Sequence, residues 1–134
     1  MKRTRVEDYW RWWAYERDSH AKVLAAMGAV PPERRSAREY RKASTLFGHI
    51  IAVRRLWLFR VGAATECPGA DDMFPADLTL QELARRLDEM HAAWADYLGG
   101  LDDHAIWQYF EYRSFERQSF RIAVADILTQ LYGH

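Results

Sequence analysis

Residues 79–100, TLQELARRLDEMHAAWADYLGG, leave the chain little choice of conformation. Leu80, Leu83, Leu87, Met90, Trp94 and Tyr97 recur at steps of three and four, the spacing that lines one face of an α-helix, with Ala84, His91 and Leu98 adjoining. Thr79 stands where its hydroxyl can cap the first turn. Glu82, three residues on, can complete a capping box, and Leu78 can staple to Leu83. Gly99-Gly100 ends the run. Such a helix buries one face only against other elements, so the rest of the chain must supply them.

Two further helices are predicted upstream. From about Arg5 to Met27, the residues Tyr9, Trp13, Glu16, His20, Val23, Leu24 and Met27 share a face that Trp10 and Trp12 widen. Gly28 and Pro31-Pro32 stop it, because proline cannot continue the backbone ladder. From about Ser36 to Val61 the stripe is Leu46, Phe47, Ile50, Val53, Trp57, Leu58 and Val61, with His49 on its border and Gly62 closing it. Segment 62–78 has no helical period, and long loops inside compact domains are often functional or mobile. IWQYFEYRSFERQSFRI is dense in aromatic and β-branched residues and reads as a short hairpin or extended arm. A last helix begins at about Ile122 and carries Val124, Ile127, Leu128, Leu131 and then His134. The expected fold is all-α: a four-helix bundle in one domain over residues 1–134, with a long loop after the second helix and a hairpin before the last.

Composition narrows the function. Of the 134 residues 49% are apolar, which excludes a disordered chain. Lysine plus arginine equals aspartate plus glutamate at 19 each, so nothing argues for a nucleic-acid or membrane partner, both of which usually demand a basic excess. Arg34, Arg35, Arg38, Arg41 and Lys42 cluster, but Glu33 and Glu39 interrupt them, and a solvated face is the expectation. The single Cys67 cannot form an intrachain disulfide. The start, MKRTRVEDYWRWW, has no apolar signal core, and no span is apolar enough for a membrane, so a cytoplasmic protein is expected.

Five histidines carry what chemistry there is: His20, His49, His91, His104 and His134. A neutral imidazole is the commonest metal ligand, and bundles build metal sites from inward side chains on facing helices. On an apolar stripe, however, a lone histidine is more often a core residue with one hydrogen bond. No HExxH, CxxC, GxSxG, phosphate loop or dinucleotide fingerprint occurs. Asp71-Asp72 reads as a solvated loop pair.

Four stretches together resemble the DinB-like family, grouped with the YfiT-like metal-dependent hydrolases. Trp13-Ala14-Tyr15-Glu16-Arg17 looks like the family's WANxRL element, and LFGHIIAVRRLWLFRVG like LxHIxxAExxWLxRLxG. The aromatic arm is similar to the family's strand pair, and DILTQLYGH to the opening of xLLxHLxNHxxHHRGQ. The resemblance implies a four-helix bundle, commonly dimeric, that holds one divalent ion, nickel or zinc, through three histidines. One comes from the second helix and two from the fourth, spaced H-x-x-x-H. It implies a metal-dependent hydrolase or a transferase of a low-molecular-weight thiol, whose pKa the metal would lower. Carried over, His49 matches the first ligand and His134 the second. The third would fall four residues past His134, where the sequence has stopped, inside the last helix. His91, His20 or a loop carboxylate are then candidates to complete the set. Arg54 stands where the family has glutamate.

The leading expectation is therefore a homodimeric metal-binding bundle acting on a small molecule. Its site is built around His49 and His134, the 62–78 loop borders the mouth, and Trp10, Trp13 and Trp57 are pocket walls or ordinary core. A non-catalytic interaction or dimerisation module with an incomplete metal site is the alternative. A metal-free binder of a small ligand is a third.

Overall fold

The computed structural model describes residues 5–133. It contains four helices, α1 (Arg5–Gly28), α2 (Arg38–Arg60), α3 (Leu80–Gly99) and α4 (Val124–Gly133), and a two-stranded sheet of β1 (Tyr109–Arg113) and β2 (Ser119–Ala123). Short 3₁₀ turns at Pro32–Arg34, Ala70–Asp72 and Ala105–Trp107 punctuate the connections. The mainly helical architecture and the hairpin agree with the sequence reading. The closing helix starts two residues later than about Ile122, because Ile122 is still paired with Phe110 in the sheet. No helix among the described residues is long and apolar enough to cross a membrane.

Helix α3 forms as its sequence dictates. Thr79 accepts the Glu82 N–H at 3.0 Å, which satisfies one of the free donors of the first turn. Leu83, Leu87, Met90, His91, Trp94 and Leu98 are all buried. Helix α2 ends in a paired cap: the Ala63 N–H bonds to the Leu58 carbonyl (2.8 Å) and the Gly62 N–H to that of Phe59 (3.0 Å). Gly62 takes φ +86, the left-handed conformation that costs glycine nothing. β1 and β2 pair antiparallel from Tyr109↔Ala123 to Arg113↔Ser119, and β2 passes into α4 with no linker.

α1 packs against α3 and α4, and α2 packs against α3 and β1. The core between them holds Tyr9, Phe47, Ile51, Leu83, Met90, Trp94, Leu98, Ile106, Ile127 and Leu128. Tyr9 is fully buried and pays for its hydroxyl with bonds to the Ala125 carbonyl and Thr129 Oγ1, both 3.0 Å. Some residues assigned to apolar stripes lie outside this core, among them Val23 and Leu46, which are 44% and 47% exposed. Periodicity located the correct helices, but the buried stripe on each is narrower than the apolar one, and a cavity lined by both α1 and α2 opens between them.

Candidate metal centre

That cavity encloses about 520 Å³. α1 contributes Trp12, Glu16 and His20, α2 contributes His49, Arg54 and Trp57, and the end of α4 contributes Leu131 and Tyr132. Glu16 and His20 line it, and behind them lies His91: one carboxylate oxygen of Glu16 and one ring nitrogen each of His20 and His91 lie within 4.8 Å of one another. The two histidines come from different helices and meet because α1 packs on α3. His20 Nδ1 and His91 Nε2 are 3.2 Å apart. Both rings are buried, and His91 is fixed from behind: the Trp13 indole N–H donates to its backbone carbonyl at 3.2 Å.

Local sequence explains how each donor reaches the site. Glu16 and His20 are four apart on α1 and therefore stack on one helix face. His91 sits beside Met90 and Trp94 on the α3 stripe, so the burial of that stripe carries the imidazole inward.

Glu16 is paired with Arg54 of α2. The two side chains are 14% and 13% exposed, and both guanidinium bonds fall on one oxygen, Oε1, with Nε donating at 2.9 Å and the second nitrogen closer still. Arg54 also donates to the Leu131 carbonyl at 3.3 Å. No bond among the described residues is made to Glu16 Oε2.

Burial holds both histidines neutral. It pushes the His20 pKa from 6.5 to about 4, with the Arg54 charge adding to the effect. Burial likewise lowers His91 to about 4, helped by His20, Arg54 and Arg17 and opposed by Glu16. Burial raises the pKa of the Tyr132 phenol, so it enters the cavity as a proton-bearing group.

The donor set fits a divalent ion. Two nitrogens bound to one tetrahedral zinc at about 2.0–2.1 Å would lie about 3.4 Å apart, close to the 3.2 Å observed. Without an ion, one of these two nitrogens must carry the proton that makes their hydrogen bond. Ligation therefore needs one ring to change tautomer and releases no proton. His91 Nδ1 is buried with no partner, so nothing fixes the tautomer of that ring from its far side. Arg54 supplies the opposing consideration, because its charge already balances Glu16.

The residues singled out from sequence are placed as follows. His49 lines the cavity but is not part of the three-donor group. Its Nδ1 is 2.6 Å from the Met73 carbonyl, and its ring stacks on Phe74 with centroids 4.1 Å apart. His134 lies outside the described residues. Of the tryptophans read as pocket walls or ordinary core, Trp57 both lines the cavity and packs on the core, Trp10 and Trp13 pack on the core, and Trp12 also lines the cavity. The 62–78 loop touches the cavity's edge through Met73 and Phe74 at His49 and does not line it. His104 and Cys67 are exposed and are not part of the three-donor group. Glu16 and Arg54 carried a readable signal: a carboxylate on a buried stripe requires a counter-charge.

No protein-family model matches this chain, and neither a curated protein nor a solved structure matches it at a significant level.

Proposed function

We propose that the chain is a divalent-metal protein of DinB-like type, a metal-dependent hydrolase or thiol S-transferase that acts on a small molecule in the cavity between α1, α2 and α4. One observation carries the reading: three donors of the right chemistry, Glu16, His20 and His91, converge, and two of them, Glu16 and His20, line a 520 Å³ cavity. In this reading they hold the ion. Three protein ligands leave a further position for water or a thiol, as catalytic sites require. A bound ion would supply a lowered pKa for that water or thiol. Arg54 and the Tyr132 phenol would hold an anionic group of the substrate, and Trp12 and Trp57 would flank its apolar part. The sequence resemblance adds nickel or zinc as the metal, a low-molecular-weight thiol as cosubstrate and a homodimer as the assembly.

Elemental analysis of the purified protein and of two variants tests this. About one nickel or zinc ion per chain, lost in His91→Ala and kept in His49→Ala, is the expected result. Loss in His49→Ala with retention in His91→Ala would move the centre to the His49 side of the cavity. The Glu16–Arg54 pair favours one second reading, a non-catalytic bundle whose cavity binds a ligand or partner without metal, because the carboxylate is already neutralised. Protein that stays free of metal after soaking in zinc and nickel would select it.

A further inference from the structure

A second cavity, of about 680 Å³, lies at the C-terminal end of α2, between its last turn, Cys67 and the hairpin. It shares no lining residue with the first cavity. Arg60, Arg113 and Arg117 line it together with Glu111, an excess of two positive charges. None of the three guanidinium groups forms an ion pair among the described residues.

Arg60 is the best defined of them. Its guanidinium carbon lies 4.6 Å from the ring centroids of both Trp57 and Tyr112, and 5.8 Å from that of Phe115. These rings stabilise and orient the cation. They offer no acceptor in return: Arg60 Nε is buried with no hydrogen-bond partner. Capping α2 does not explain it, since the carbonyls of Trp57, Leu58 and Phe59 are already taken by the N–H groups of Val61, Ala63 and Gly62. Burial works against the charge, so an arginine is retained here at a cost.

Arg117 gives a separate indication. It ends the hairpin turn, with its N–H on the Ser114 carbonyl at 2.9 Å, and has φ +64. That left-handed position in a hairpin normally belongs to glycine, which adopts it without strain. An arginine that accepts backbone strain beside two other unpaired arginines is a pointer to function.

We propose that this cavity binds a small organic anion. The acidic head would be held by Arg60, Arg113 and Arg117, and a flat apolar body would lie against Tyr112 and Phe115. Two excess charges suit a phosphate monoester, and arginine forks match its oxygens.

Phenyl phosphate, inorganic phosphate and phenol are the probes, with binding followed by amide chemical shifts. Phenyl phosphate is expected to bind and to shift hairpin amides, with inorganic phosphate weaker and phenol silent. Arg117→Gly should weaken phenyl phosphate by about tenfold, the value of one charged hydrogen bond, while raising Tm by relieving the turn. Arg113→Gln, on an exposed strand position, should weaken it without loss of fold. Arg60→Met can loosen the hairpin, so the two exposed variants decide. Failure of phenyl phosphate to bind at millimolar concentration would overturn the proposal. So would binding unchanged in both exposed variants, or shifts centred elsewhere. Equal binding of inorganic phosphate would overturn the apolar half of the recognition.

Discussion

His20 of α1 and His49 of α2 line the same cavity, and the protein uses them differently. His20 and His91 are buried, kept neutral, and aimed at each other across the α1–α3 contact. His49, on α2, is half-buried at the rim and already employed: its Nδ1 meets the Met73 carbonyl and its ring covers Phe74, tying the 62–78 loop to the helix. A ring nitrogen held by a backbone carbonyl leaves only the other nitrogen for chemistry. Two rings that share a single proton between facing nitrogens form a site already close to the spacing an ion requires. The pairing of groups, more than their place on a helix stripe, separates a ligand set from a structural tie.

The largest expected effect comes from removing the charge that balances Glu16. Arg54→Met leaves Glu16 buried without a partner and should destabilise the metal-free protein by about 3–5 kcal/mol. Urea denaturation with and without zinc checks it. If the donors hold metal, saturating zinc should restore most of the loss, because the ion then supplies the missing counter-charge and binds only the folded state. Loss that zinc leaves untouched would reduce the pair to a structural ion pair.

Acid should probe the same wall. Both folded-state pKa values are depressed from 6.5 to about 4, so the fold prefers the neutral rings. Their stabilising contribution is complete above pH 6.5, falls through the window from 6.5 to 4, and is gone below it. One pKa unit is about 1.4 kcal/mol, so the pair together accounts for a loss on the order of a few kcal/mol across that window. His91→Leu should flatten the fall in stability between pH 7 and pH 4, measured by urea midpoints. An unchanged slope would mean that the buried pair is not what senses the acid.

The same neutrality predicts how zinc affinity depends on pH. An ordinary pair of histidines with pKa 6.5 loses roughly fifteenfold in affinity from pH 8 to pH 6, because protons compete for both rings. A site built on His20 and His91 should lose less than about twofold. Competition titrations with a chromophoric chelator at the two pH values separate these outcomes.

Much of the fold was legible because local signals agreed. Over residues 79–98, stripe, cap and glycine stop all specify one helix, and the Thr79–Glu82 bond forms as read. The hairpin was legible from its aromatic and β-branched density, but its junction with α4 was not, since Ile122 suits a strand and a helix equally. The site was harder to see. His20 and His91 are 71 positions apart, and only the packing of α1 on α3 brings their nitrogens together. Each alone is indistinguishable from a satisfied core histidine. Glu16 was visible as a carboxylate on the buried face one turn before His20, a signal that becomes specific only once Arg54 is found opposite it.

The smallest effect tests the other wall, where His49 ties down the loop. Gly48 sits on α2 beneath Pro75, and a methyl added there would come within 2.6 Å of the proline ring. Two terms oppose each other in Gly48→Ala. Replacing glycine within a helix gains about 1 kcal/mol, while overpacking against a rigid ring costs about 1–3 kcal/mol. The proline cannot rotate aside as a flexible chain end would, so the second term should win by about 1 kcal/mol. Relief is available only by lifting the loop, which would also break the His49–Met73 contact. The variant should therefore show faster amide exchange around Met73 and unchanged zinc affinity. Zinc affinity that falls with the loop would show that the two walls form one site and that the contrast between them is too sharply drawn.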